Sequence, residues 1–195
     1  LTGRAVCCPL FLPAREILAA RTSRLLRGVA FWLRESFPHP ARLMSLIRSF
    51  EVTGLFDKES NCHKLLYAPV SHPWTYRESV VYNITFEGDE QALEAFVRRV
   101  LVDELSQELR DGDGSAFPAA AFVLEYGMKG GALDLEKEMI LNYYRSLPEP
   151  GFAIHKLVLR RRVYVSGPEA DTAPFVKDVC NPAIHTWEVR RQDAA

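Results

Sequence analysis

Residues 121–126 read AFVLEY, 135–147 read LEKEMILNYYRSL, 152–165 read FAIHKLVLRRRVYV and 184–189 read IHTWEV. This succession decides the fold. Ala121–Tyr126 is rich in strand formers, and Gly127–Asp134, with Gly130-Gly131 inside it, reads as a loop. Leu135–Leu147 has helical spacing, which predicts that Met139, Ile140, Tyr143 and Leu147 are buried, with Tyr144 on the rim. Pro148, Pro150 and Gly151 stop that helix. Residues 152–165 are extended, interrupted by Arg160-Arg161-Arg162 and ended by Ser166-Gly167-Pro168. Thr172 serves as N-cap of a short helix to Cys180, Asn181-Pro182 breaks it, and Ile184–Val189 is a closing strand.

Strand, helix, strand, helix, strand is the split βαβ pattern of ferredoxin-like folds, with two helices on one face of an antiparallel sheet. A unit of that size with a bare sheet face buries too little area to offset chain entropy, so a second copy is expected to cover it. The first half repeats the order loosely. An Arg-rich amphipathic helix spans 14–36 and a bent strand or tight pair spans 43–55. Residues 56–78 are a surface excursion anchored by Trp74 and Tyr76, and Val80–Glu87 is a strand. A helix follows from Glu90 to Leu109, burying Leu93, Phe96, Val97, Val100, Leu101 and Leu105. The flexible Asp111-Gly-Asp-Gly-Ser115 divides the chain. The expectation is therefore an α+β protein of two ferredoxin-like units, 1–115 with an insertion at about 56–78 and 116–195. Their antiparallel sheets pack on each other with helices outside.

The 195 residues, 48% hydrophobic and 25% charged, exclude collagen-like, disordered and low-complexity classes. A net charge of −1 draws the chain neither to nucleic acid nor to acidic lipid. The charge is polarised: residues 1–49 carry eight Arg and two Glu, a net of +6, leaving −7 for the rest. An Arg-rich start suits a targeting segment, but Phe31, Trp32 and Leu33 suit a core. The apolar run Ala5–Leu12, broken by Pro9, is too short to span a bilayer, and Leu1 in place of Met suggests a piece of a longer chain. Four cysteines without a C-x-x-C pair point to a reducing, cytoplasmic setting. Cys62, His63 and His72 lack the spacing of a metal site, so no metal is expected.

Candidate chemistry is sparse. Cys180 lacks the small neighbours of a nucleophile elbow and reads as a buried structural thiol. Lys129-Gly130-Gly131 is either a phosphate cradle or a simple turn needing positive φ. Arg160, Arg161 and Arg162 cannot all face one way on an extended chain. They read as a guarded strand edge or as the candidate interface with an acidic partner surface. His155 and His185 sit at strand starts as structural histidines, and the acidic helix 89–108 presents a solvated face or a docking surface. No strand has the basic-Gly-aromatic-Gly-aromatic form of an RNA-recognition motif.

Phe122-Val-Leu-Glu-Tyr126, Lys129-Gly-Gly-Ala-Leu-Asp134, Arg162-Val-Tyr-Val-Ser-Gly167 and Cys180-Asn-Pro-Ala-Ile184 together resemble the PurS family. That family is the small subunit of phosphoribosylformylglycinamidine synthase and the duplicated N-terminal region of its single-chain forms. Gly131, Leu133, Asp134, Tyr164, Gly167, Asn181, Pro182 and Ile184 are the motif positions, and Ile47–Gly54 is similar to the strand of the first copy. The resemblance implies a ligase subunit in purine biosynthesis that bridges glutaminase and synthetase parts and supports ammonia transfer. ATP, Mg and glutamine are then used by the complete enzyme, with no cofactor and no catalytic residue in this chain. The partners implied are those two parts and self-association, with neither nucleic acid nor membrane. The alternative is a ferredoxin-like regulatory module binding a small ligand such as an amino acid.

Overall fold

The computed structural model describes residues 45–70 and 72–192. The apolar run Ala5–Leu12, the expected helix 14–36 and any targeting segment lie outside them. The described strands are β1 (Leu46–Gly54), β2 (Ser60–Asn61), β3 (Thr75–Gly88), β4 (Gln107–Asp111), β5 (Phe122–Met128), β6 (Phe152–Ser166) and β7 (His185–Arg191). The helices are α1 (Glu90–Leu101), α2 (Leu135–Arg145) and α3 (Ala173–Val179). All pairings are antiparallel, in one sheet of order β4-β1-β3-β6-β5-β7 with β2 added beside β3.

The α+β class is as expected, but two sheets packed face to face are replaced by one continuous sheet. The cause is the length of β3 and β6, which pair from Thr75↔Ser166 to Gly88↔Phe152. Joining them edge to edge satisfies backbone groups that two separate sheets would leave open. β1 lies between β4 and β3 as β5 lies between β7 and β6. Each long strand leads into a helix and then an outer strand. Between β5 and β6 the chain forms α2; between β1 and β3 it forms the 55–74 excursion.

Side chains alternate across a strand, and the helices take one face of this sheet. Tyr82, Ile84 and Phe86 of β3 and Leu157 and Leu159 of β6 pack with Leu93, Phe96 and Val97 of α1 and Ile140 of α2. Farther along the same strands, Val163 and Val165 pack with Phe122, Leu124 and Phe175 of α3. The 56–78 stretch is largely exposed and is anchored at Trp74 and Tyr76 as expected. Cys62, Leu66 and Trp74 are buried in that second core, and the Trp74 indole donates to the Pro168 carbonyl at 2.9 Å.

Helix α1 ends eight residues before the expected Leu109. Val102 is extended, and the Asp103 carboxylate accepts from the Leu105 N–H and the Ser106 hydroxyl, turning the chain into β4. Leu105, expected in the apolar face, is thereby left 85% exposed. Helix α2 is rotated from its expected setting. Ile140, Leu141 and Tyr144 face the core, while Met139 and Tyr143 are exposed. The Tyr144 hydroxyl donates to the Phe152 carbonyl at 2.9 Å, which holds that rotation. β6 runs unbroken through its arginines, and Thr172 caps α3 without a side-chain hydrogen bond.

The opposite face of the sheet is crossed by residues 112–120. Ala116 and Ala120 are buried there against Val123 and Tyr164, with Phe117 packed beside them. The stretch expected to be a flexible divider is held: Gly112 donates to the Ser49 carbonyl, and Arg162 donates to the carbonyls of Gly112 and Gly114.

Candidate functional site

The two motif segments of residues 129–134 and 180–184 meet at one end of the sheet. The Lys129 N–H donates to the Ile184 carbonyl at 2.8 Å, and its ammonium donates to the Pro182 carbonyl. Asn181 folds its own turn: its side chain accepts from the Ala183 N–H, and its carbonyl accepts from His185 at 2.8 Å. Asp134 is the N-cap of α2, accepting from the Lys137 N–H at 3.1 Å. Gly167 turns the chain out of β6 at φ +137°, where an added Cβ would lie 2.6 Å from Trp74 Cδ1. Tyr164 is buried and its hydroxyl donates to Glu51 at 2.5 Å.

Beside these turns a groove of about 270 Å³ runs between β5, β6 and α2, with Tyr126, Leu135, Glu136, Arg161 and His185 in its walls. The Tyr82 hydroxyl donates to Glu136 at 3.0 Å; burial, then the carboxylate beside it, holds that phenol protonated well above its usual range. Arg161 lies 3.5 Å from the same carboxylate, with both side chains substantially exposed. His185 Nδ1 accepts from the Asn181 N–H at 3.2 Å, and its ring stands 5.3 Å from that of Tyr126. Leu133 and Leu135 line the groove at 69% and 67% exposure, and Met139, one helical turn after Leu135 on α2, is 72% exposed. The site thus offers an apolar surface bordered by an exposed ion pair, which is the chemistry of a docking surface.

No family model, curated protein or solved structure matches this chain.

The three arginines part company as alternation requires. Arg161 lines the groove. Arg160 is on the other face, donating to Thr186 Oγ1 at 3.0 Å. Arg162 is buried, so it is not a surface contact as the run suggested. It donates to Glu51 at 2.9 Å, to Glu125 at 2.8 Å and to the Gly112 and Gly114 carbonyls of the strap that residues 112–120 form across this face. Burial opposes its charge, and the bonds to Glu125 and Glu51 more than offset that, so its pKa is raised. Glu51 also accepts from Ser79, and Arg190 joins Glu125 from β7.

Cys62 and Cys180 are buried free thiols, and burial pushes both up to about 11. His155 lies 3.4 Å from Glu87 on the surface. Among the described residues no group of three or more His, Cys, Asp or Glu gathers as for a metal, and no helix is long and apolar enough to cross a membrane. Sequence reasoning missed Glu51, Glu125, Tyr82 and Glu136. Phe50-Glu51-Val52 alternates as a half-buried strand with Glu51 turned to solvent would, so the sequence carried no signal that Glu51 is buried.

Proposed function

We propose that this chain is a non-catalytic assembly part of phosphoribosylformylglycinamidine synthase, built as two ferredoxin-like units and bridging the glutaminase and synthetase parts. The observation that carries this reading is how the motif residues are used. Asp134 caps a helix, Gly167 makes a close turn, Tyr164 satisfies a buried carboxylate and Asn181 closes the turn before β7. They build architecture, and at its end stands the exposed apolar surface of Leu133, Leu135 and Met139. The matching strand order of the two halves supports a duplicated origin for the sheet. A chain that docks one part to another and sets their spacing supports ammonia transfer without touching either reaction. Buried free thiols suit a cytoplasmic setting.

The test uses matching synthetase and glutaminase parts, with ADP release measured from glutamine and from ammonia. Adding the chain is expected to raise the glutamine-dependent rate alone, and Leu135→Asp with Met139→Asp to abolish that gain while leaving the fold intact. If neither rate changes and no complex forms on mixing, the assembly reading fails and a small-ligand module takes its place.

A further inference from the structure

Strands β5 and β6 pair only as far as Tyr126↔Arg161. Beyond that, β5 continues to Met128 alongside β7, while residues 156–160 of β6 stay paired with β3. The two strands splay, and a cleft of about 350 Å³ opens between the edge of β6 and the turn that leads into α2. Its walls carry Lys129, Lys137, Lys156 and Arg160 against a single acid, Asp134. That is a local excess of three positive charges in a chain whose net charge is −1.

Among the described residues, none of these four cations makes an ion pair. Two are held by neutral acceptors, Lys129 by the Pro182 carbonyl and Arg160 by Thr186. The Asp134 carboxylate is committed to the helix cap. The turn itself supplies an independent sign. Gly131 needs its glycine, since φ is +90°. Gly130 does not: its φ is not positive, and an added Cβ would meet nothing within 4 Å. Among the described residues, neither backbone conformation nor packing calls for glycine at 130. Close approach of a ligand to the backbone does.

We propose that this cleft binds a small phosphate-bearing anion, a phosphomonoester or a pyrophosphate. Several cations converging on an exposed glycine turn match an anion of more than one charge and several acceptor oxygens. A single carboxylate would leave most of the cations unbalanced. The cleft volume falls at the lower end of small-molecule sites, about 300–1,000 Å³. The proposal stands apart from the assembly role and does not depend on it.

The experiment is an amide-resolved NMR titration of the full chain with sodium pyrophosphate at low ionic strength, repeated with acetate. Saturable shifts are expected at residues 129–132, 156–160 and 186, with acetate giving none. Gly130→Ala is expected to leave the melting temperature within about 1 °C, because its methyl enters open space, yet to weaken pyrophosphate at least about fivefold. Lys156→Glu, on an exposed side chain, is expected to weaken it by at least about as much. Unsaturable shifts spread over many lysines, an equal response to acetate, or unchanged binding by both variants would mean an adventitious ion only and would overturn the proposal.

Discussion

Replacing Arg162 by Met tests whether the buried charge network holds the two halves of the sheet and the strap together. Glu51 is 0% exposed and Arg162 5% exposed. Removing the guanidinium leaves Glu51 facing Ser79 and Tyr164 hydroxyls without a countercharge. It also removes the donor to the Gly112 and Gly114 carbonyls. Breaking a buried pair from one side costs about 3–5 kcal/mol. At about 2 kcal/mol/M for urea, the midpoint falls by roughly 2 M. Glu51→Gln is milder, since Arg162 keeps Glu125 and both carbonyls. The double variant should cost less than the sum of the singles by at least about 1 kcal/mol, because its buried carboxylate is gone too. Amide exchange at Gly112 and Ala116, bonded to Ser49 and Tyr164, is expected to quicken in Arg162→Met before the rest of the sheet opens. A loss below about 1 kcal/mol, or single costs that simply add, refutes the network as a coupled buried unit.

Asp134→Ala removes the α2 cap and should cost about 1 kcal/mol in a urea melt, whereas Asp134→Asn retains most of it. Gly167→Ala meets both the positive φ and the Trp74 ring, and should cost on the order of 1–3 kcal/mol by thermal denaturation. Cys62 and Cys180 hold their protons more tightly folded than unfolded. Stability is therefore full below pH 9 and falls as the pH rises through about 11, by on the order of 2–3 kcal/mol per thiol. Urea midpoints at pH 8 and pH 11 measure this, and the fall should shrink when both cysteines are replaced by Ala.

Elements with local punctuation were legible in the sequence. Proline and glycine end α2 after Arg145, Asn181-Pro182 separates α3 from β7, and regular alternation marks the middle of β3. What escaped was decided by partners distant in the chain. Leu105 continues the apolar period of α1, but the Asp103 turn and the pairing of β4 with β1 outweigh that propensity. Met139 and Tyr143 fit a helical stripe as well as Ile140 and Tyr144 do, and the choice between stripes falls to the Tyr144 bond with Phe152, eight residues on. In the excursion 56–78 the anchor Trp74 was legible by its residue type, but its partner, the Pro168 carbonyl, was not.

The arginine run shows the same limit at the site. Period two dictates that Arg161 opposes Arg160 and Arg162, and that much is readable from three letters. Which of the two faces is buried depends on Glu51, 111 residues away, and on a strap whose sequence, rich in Gly, Asp and Ser, signals only a loop. A carboxylate at 51 and a guanidinium at 162 each look costly alone; in the sheet each satisfies the other's desolvated charge. The pairing of β3 with β6 sets β1 and β5 on either side of that join, and so brings Glu51 and Glu125 to one guanidinium. The register of the central strands and the buried network therefore constrain each other. A slip of one residue would turn Arg162 to the helix face and strand both carboxylates.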